Sequence, residues 1–141
     1  MKLNVTPLAG YWWHPQEGEA WRVRVEPMTS GEAQAVMLRR AAVVDVADKV
    51  AQAEAYLALR DEVIASRISA VEGVEAEDDG QPVAVATGAD LVRVLRAAHG
   101  MAAAPILDAV FAEIMRAGEG PSRQPSEPSG DSSRSAADAR G

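Results

Sequence analysis

Cysteine is absent from the chain. That absence excludes disulfides, thiolate metal sites and cysteine nucleophiles together. Aromatic residues are scarce as well: one Phe, two Tyr and three Trp among 141 residues, too few for the stacking platforms that hold single-stranded nucleic acid. Lys and Arg number 14 against 21 Asp and Glu, a formal charge of −7, so the clustered positive charge that phosphate binding needs is missing. The nearest approach to it, Arg22, Arg24, Arg39 and Arg40, is interleaved with Glu19, Glu26 and Glu32 and reads as a mixed, solvated surface. No apolar run approaches the ~20 residues of a membrane span. Met1-Lys2 is followed by Leu3, Asn4, Val5, Thr6 and Pro7, without the apolar stretch of a secretory signal. The expectation is a soluble, acidic, cytoplasmic protein with neither a nucleic-acid nor a membrane partner.

What is present is aliphatic. Apolar residues make up 48% of the chain, so a core must come from Ala, Val, Leu, Ile and Met, a palette that suits helix packing. The chain has room for one domain. After Glu119 it turns to Ser, Pro, Gly, Arg and Asp with no large apolar side chain, and such a segment cannot bury enough surface to offset its ordering entropy. The expected organisation is a compact domain over residues 1–118 and a disordered tail over 119–141.

Trp21-Arg22-Val23-Arg24-Val25-Glu26 alternates apolar and polar, the pattern of a strand with one buried face; Pro27 ends it. Tyr11-Trp12-Trp13 is placed to pair with it through the 16–19 loop. Thr29-Ser30-Gly31-Glu32 fits a capping box. Beyond it Val36, Val43, Val50 and Leu57 recur every seven residues, an apolar stripe on a helical face. One long helix, or two joined near 45–48, covers residues 30–62, with its stripe packed on the domain's own sheet or forming a seam between chains. A hairpin is expected next: Ile68, Ala70, Glu72 and Val74 on one face of a strand, a turn on Gly80, and Pro82 to Ala86 returning. Thr87-Gly88-Ala89-Asp90 starts another capped helix, ending at His99-Gly100. Pro105 opens the last helix, with Ile106, Leu107, Val110, Phe111, Ile114 and Met115 on one wide face. The fold class is thus α+β and helix-dominated, a small N-terminal strand pair and a central hairpin packed against about four helices.

No constellation carries catalytic chemistry. Glu75, Glu77 and Asp79 take the first, third and fifth places of a calcium loop and Gly80 the sixth, but the twelfth is Ala86 where a bidentate Glu belongs. His14 and His99 have no motif partner, and two histidines are short of a zinc set. Gly118, Gly120 and Pro121 form no phosphate cradle. The expectation is no enzyme, no cofactor and no metal. The candidates for function are the aromatics Tyr11, Trp12, Trp13 and Trp21, suited to edge packing or to partner contact, and the stripe Val36, Val43, Val50 and Leu57.

The layout carries a resemblance. Trp21 to Thr29 runs directly into an Arg-containing helix. Then come Val71-Glu72-Gly73-Val74, the acidic turn Asp78-Asp79-Gly80, Pro82-Val83, Thr87 with a Leu-rich helix, and a closing helix from Ile106 to Met115 before Gly118-Glu119. Over about residues 20–119 this resembles the tail assembly chaperones of long-tailed bacteriophages and prophages. A departure lies at the end, where a Ser/Pro/Arg/Asp stretch replaces the short Lys-Asn-type segment. The resemblance implies a non-enzymatic protein that coats the tape-measure protein, helps recruit major tail (tube) protein and leaves before the particle is complete. Such a protein works in the bacterial host cytoplasm, in many copies, so a homo-oligomer is expected. The competing reading is a small regulatory or adaptor module that binds a single cellular protein.

Overall fold

A computed structural model describes residues 1–3, 5–100 and 102–117; the expected tail over 119–141 lies outside the described residues. Two short strands, β1 (Tyr11–Trp13) and β2 (Arg22–Val25), pair antiparallel with Tyr11 opposite Val25 and Trp13 opposite Val23. Alternation is realised in β2: Val23 and Val25 are fully buried, while Arg22 and Arg24 lie on the other face. Two helices follow, α1 (Ser30–Val44) and α2 (Lys49–Arg67). The Thr29 hydroxyl accepts from the Glu32 amide at 3.1 Å and the Glu32 carboxylate accepts from the Thr29 amide at 2.9 Å, so two of the helix's orphan donors are satisfied reciprocally. The chain breaks at 45–48, where Asp48 caps α2 by accepting from the Ala51 amide at 3.1 Å.

The hairpin departs from expectation. α2 runs without a loop into β3 (Ile68–Glu72), which joins the N-terminal pair to give a three-stranded sheet of order β1-β2-β3. Val25 pairs with Ile68 and Arg24 with Ala70, leaving Ser69 as an extra residue. This bulge shifts the side-chain alternation by one place, so the buried pair is Ile68 and Val71, three apart, and the expected face of 68, 70, 72 and 74 is not formed. The hairpin itself is shorter and later: β4 (Ala76–Asp78) against β5 (Gln81–Val83). Asp79 and Gly80 turn it, both with positive φ of 54° and 79°, as a two-residue primed turn demands. The returning segment meets β3 only at Ala86, whose carbonyl accepts from the Val71 amide at 3.0 Å.

Two further helices, α3 (Gly88–Ala97) and α4 (Ala103–Ala117), complete the order. Thr87 and Asp90 form a second capping box. α3 starts with Gly88 against the end of α2; a Cβ there would lie 2.5 Å from the Ile64 carbonyl oxygen and 2.8 Å from that of Ile68. The core draws Val23 and Val25 from β2, Leu59, Val63 and Ile64 from α2, Leu91 from α3, and Leu107, Val110, Phe111 and Ile114 from α4. Tyr56 of α2 meets Phe111 edge-on, with centroids 6.1 Å apart. Among the described residues no helix is long and apolar enough to cross a membrane.

Candidate partner-binding surface

Helix α1 joins this core at a single buried residue, Val36, with Ala33 and Val43 half-buried. At 100° per residue, positions 32, 36, 39, 40 and 43 share a face, and this face carries every charge on the helix. Each is engaged by the protein itself. Glu32 reaches Arg67 at 3.3 Å. The Arg39 guanidinium donates twice to the Glu62 carboxylate, at 2.8 and 3.0 Å. The Arg40 guanidinium carbon lies 5.6 Å from the centroid of Phe111, within cation–π range. Arg39 holds the Glu62 carboxyl below its usual range through its hydrogen bonds and charge. The Thr29 amide, then Arg67, does the same for Glu32.

The opposite side is therefore without charge. Ser30, Gly31, Gln34, Ala35, Met37, Leu38, Ala41, Ala42 and Val44 are all exposed. Met37, Leu38 and Val44 keep 61%, 68% and 69% of their surface in water, and Val50 at the start of α2 keeps 65%. An ordinary surface helix directs its charged residues outward and its apolar stripe inward. Here the charged residues, though exposed, are paired with the domain, and the opposite face is small and uncharged, apolar except at Ser30 and Gln34. Gln52 secures the corner, donating from Nε2 to the Val44 carbonyl at 2.9 Å.

The eight residues singled out from sequence divide between two places. Val36 is buried, Val43 and Leu57 half-buried and Val50 exposed, so the seven-residue stripe is not one continuous surface once the chain breaks at 45–48. The aromatics are half-buried on the sheet. Tyr11, Trp13 and Trp21 pack against the core, and the Arg22 guanidinium covers the Trp12 ring at 4.2 Å. Trp21 donates from Nε1 to Gln16 at 2.8 Å. The Tyr11 hydroxyl donates to the Glu113 carboxylate at 2.5 Å, and Arg116 closes on the same carboxylate. Burial, then the Glu113 hydrogen bond and charge, pushes the Tyr11 hydroxyl well above its usual value of 10. Sequence reasoning gave no role to Leu38, or to Glu113, 7% exposed on the wall of α4. The available signal for the first was the sharing of one helical face by Val36, Val43 and all three charges.

A cleft of about 630 Å³ lies between the β4–β5 hairpin and α3, rimmed by Glu75, Glu77, Asp78, Asp79, Arg93 and His99. All six are exposed. His14 is held elsewhere, its Nδ1 3.0 Å from the Trp21 carbonyl. Among the described residues no three His, Asp or Glu side chains are grouped to hold a metal ion. No family model, curated protein or solved structure matches the chain.

Proposed function

We propose that this protein is a non-enzymatic assembly factor that shields an elongated helical client, in the manner of the tail assembly chaperones of long-tailed phages. Its client in that reading is the tape-measure protein, whose coating in the host cytoplasm precedes recruitment of tail-tube subunits. The observation that carries the reading is α1, a helix that spends its charges on its own domain and offers water an apolar face. An amphipathic client helix binds by laying its apolar side on such a surface, and exposed apolar patches of this kind are rare on proteins that bind nothing. The net charge of −7 keeps a many-copy coat in solution. The test is co-expression of a tape-measure protein with this chain. The reading expects the client to become soluble and to co-purify, and expects both effects to vanish with Met37→Glu and Leu38→Glu together. A client that stays insoluble, while a host regulatory protein co-purifies instead, would transfer the surface to the adaptor reading.

A further inference from the structure

We infer that the groove between the β4–β5 hairpin and α3 is a separate docking site, one that takes a cationic peptide segment bearing a large aliphatic side chain. It lies off α1, so it stands whether or not the client reading does. Two hollows make the groove. The first is the cleft of about 630 Å³, lined by the apolar Val83 and Val94 and by four carboxylates, those of Glu75, Glu77, Asp78 and Asp79. The second is a smaller pocket of about 250 Å³, lined by Trp21, Val74, Leu91, Leu95 and Ile106. Glu75 lines both, so the two adjoin. Neighbouring rows of α3 serve them, Leu91 and Leu95 in the pocket and Val94 and Ala98 in the cleft, each pair one turn apart. Gly73 lets the pocket wall lie close to Trp21, since a Cβ there would be 3.0 Å from the Trp21 Cα.

Charge complementarity selects the occupant. Elsewhere on the molecule Glu62, Glu72 and Glu113 each hold an arginine. Among the described residues the four carboxylates of the cleft have no ion pair or hydrogen bond. Arg93, the one permanently charged cation among the residues lining the cleft, is held by Asp90 at 3.0 Å, and Arg96 by Asp61 at 2.7 Å. The C-terminal end of α3, at Ala97 and Ala98, adds partial negative charge. A single metal ion does not answer this charge, because among the described residues no three such groups converge on one point. Separate cations do, as on successive side chains of a peptide. Lys and Arg can set their charged heads to the carboxylates and lay their stems along Val83 and Val94. The adjoining pocket carries no charge beyond Glu75 at the join, and excluding water from it takes an apolar side chain. An anionic partner is repelled by the same four carboxylates, and a wholly apolar one would leave them desolvated without a partner.

Fluorescence anisotropy with labelled peptides of about ten residues, on the full chain, tests this. One probe carries a central Leu flanked by pairs of Lys; a second has Ser for the Leu, and a third Glu for each Lys. The Lys–Leu peptide is expected to bind saturably below about 1 mM, the Ser peptide at least fivefold more weakly, and the Glu peptide not at all. Glu77→Gln with Asp79→Asn should weaken the Lys–Leu peptide at least tenfold; Asn tolerates the positive φ of 54° that Asp79 adopts, so the turn is kept. Asp45→Asn with Glu54→Gln removes the same charge from exposed positions off the groove and should leave binding unchanged, which separates the groove from attraction to net charge. Met37→Glu with Leu38→Glu should also leave it within twofold, so this site and the client surface on α1 can fail independently. Amide chemical-shift mapping on the unmodified chain needs no variant: the peptide should move signals of residues 73–79 and 91–99 and not those of α1. Absence of saturable binding, a Ser or Glu peptide that binds as tightly, equal weakening by the two charge-matched pairs, loss of binding in the Met37→Glu, Leu38→Glu variant, or shifts centred on α1 overturns the inference.

Discussion

Single side chains fix how the small sheet and α4 hold together, and they do so through polarity as much as bulk. The Tyr11 hydroxyl, Glu113 and Arg116 form one cluster joining β1 to the last helix. A tyrosine whose ionisation is suppressed in the folded state contributes stability that is complete below its unfolded pKa of about 10 and is lost as pH rises beyond it. Tyr11→Phe should therefore lower stability by about 0.5–1.5 kcal/mol at neutral pH, and should flatten the alkaline fall above pH 10 in denaturant titrations. Gly88 is needed for close approach and not for backbone freedom: an added methyl meets carbonyl oxygens of Ile64 and Ile68. Gly88→Ala should cost about 1–3 kcal/mol by forcing α3 off α2, read as an earlier urea midpoint at unchanged slope. Phe111, 2% exposed between Tyr56 and Arg40, should cost about 3–5 kcal/mol on truncation to Ala.

The elements show where local rules suffice and where they do not. Both capping boxes, Thr29 with Glu32 and Thr87 with Asp90, follow from side chains within three residues and were legible for that reason. The Ala86 amide, ahead of burial and Thr87, sets the balance that holds the Asp90 carboxyl below its usual 3.8. A lowered carboxylate pKa gives stability that is present above the unfolded value and lost as pH falls through the folded one. Asp90→Asn should thus blunt the acid unfolding limb below about pH 4, seen by circular dichroism across pH 2–6. The apolar face of α4 was equally legible, since Leu107, Val110, Phe111 and Ile114 are all buried. The partner of β3 was not. A bulge at Ser69 changes the alternation by one residue, and whether Ile68–Glu72 pairs with β2 or with the hairpin depends on contacts more than forty residues apart. Helix α1 shows a different limit: the valine stripe marks its inner face correctly at Val36 and Val43, but periodicity ranks apolar positions and does not reveal that Glu32, Arg39 and Arg40 share that face with bonded partners of their own. The outward surface becomes visible only when those partners are in place.

For the whole molecule, an acidic α+β domain built on one aliphatic core leaves a helix whose exposed side has no internal use. The proposed chaperone role follows from that side and puts Met37 within the contact. Methionine oxidation offers a direct reading of it, because Met37 is exposed, Met1 is exposed outside α1, and Met28 is 5% exposed in the core. The measurement is the rate of peroxide oxidation at each methionine, followed by mass spectrometry, with and without a bound tape-measure protein. Binding through α1 should slow oxidation of Met37 at least tenfold while Met1 remains as fast as in the free protein and Met28 slow in both. Met37 that oxidises at its free rate while the client is demonstrably bound would place the binding surface off α1 and overturn the proposed role of that helix.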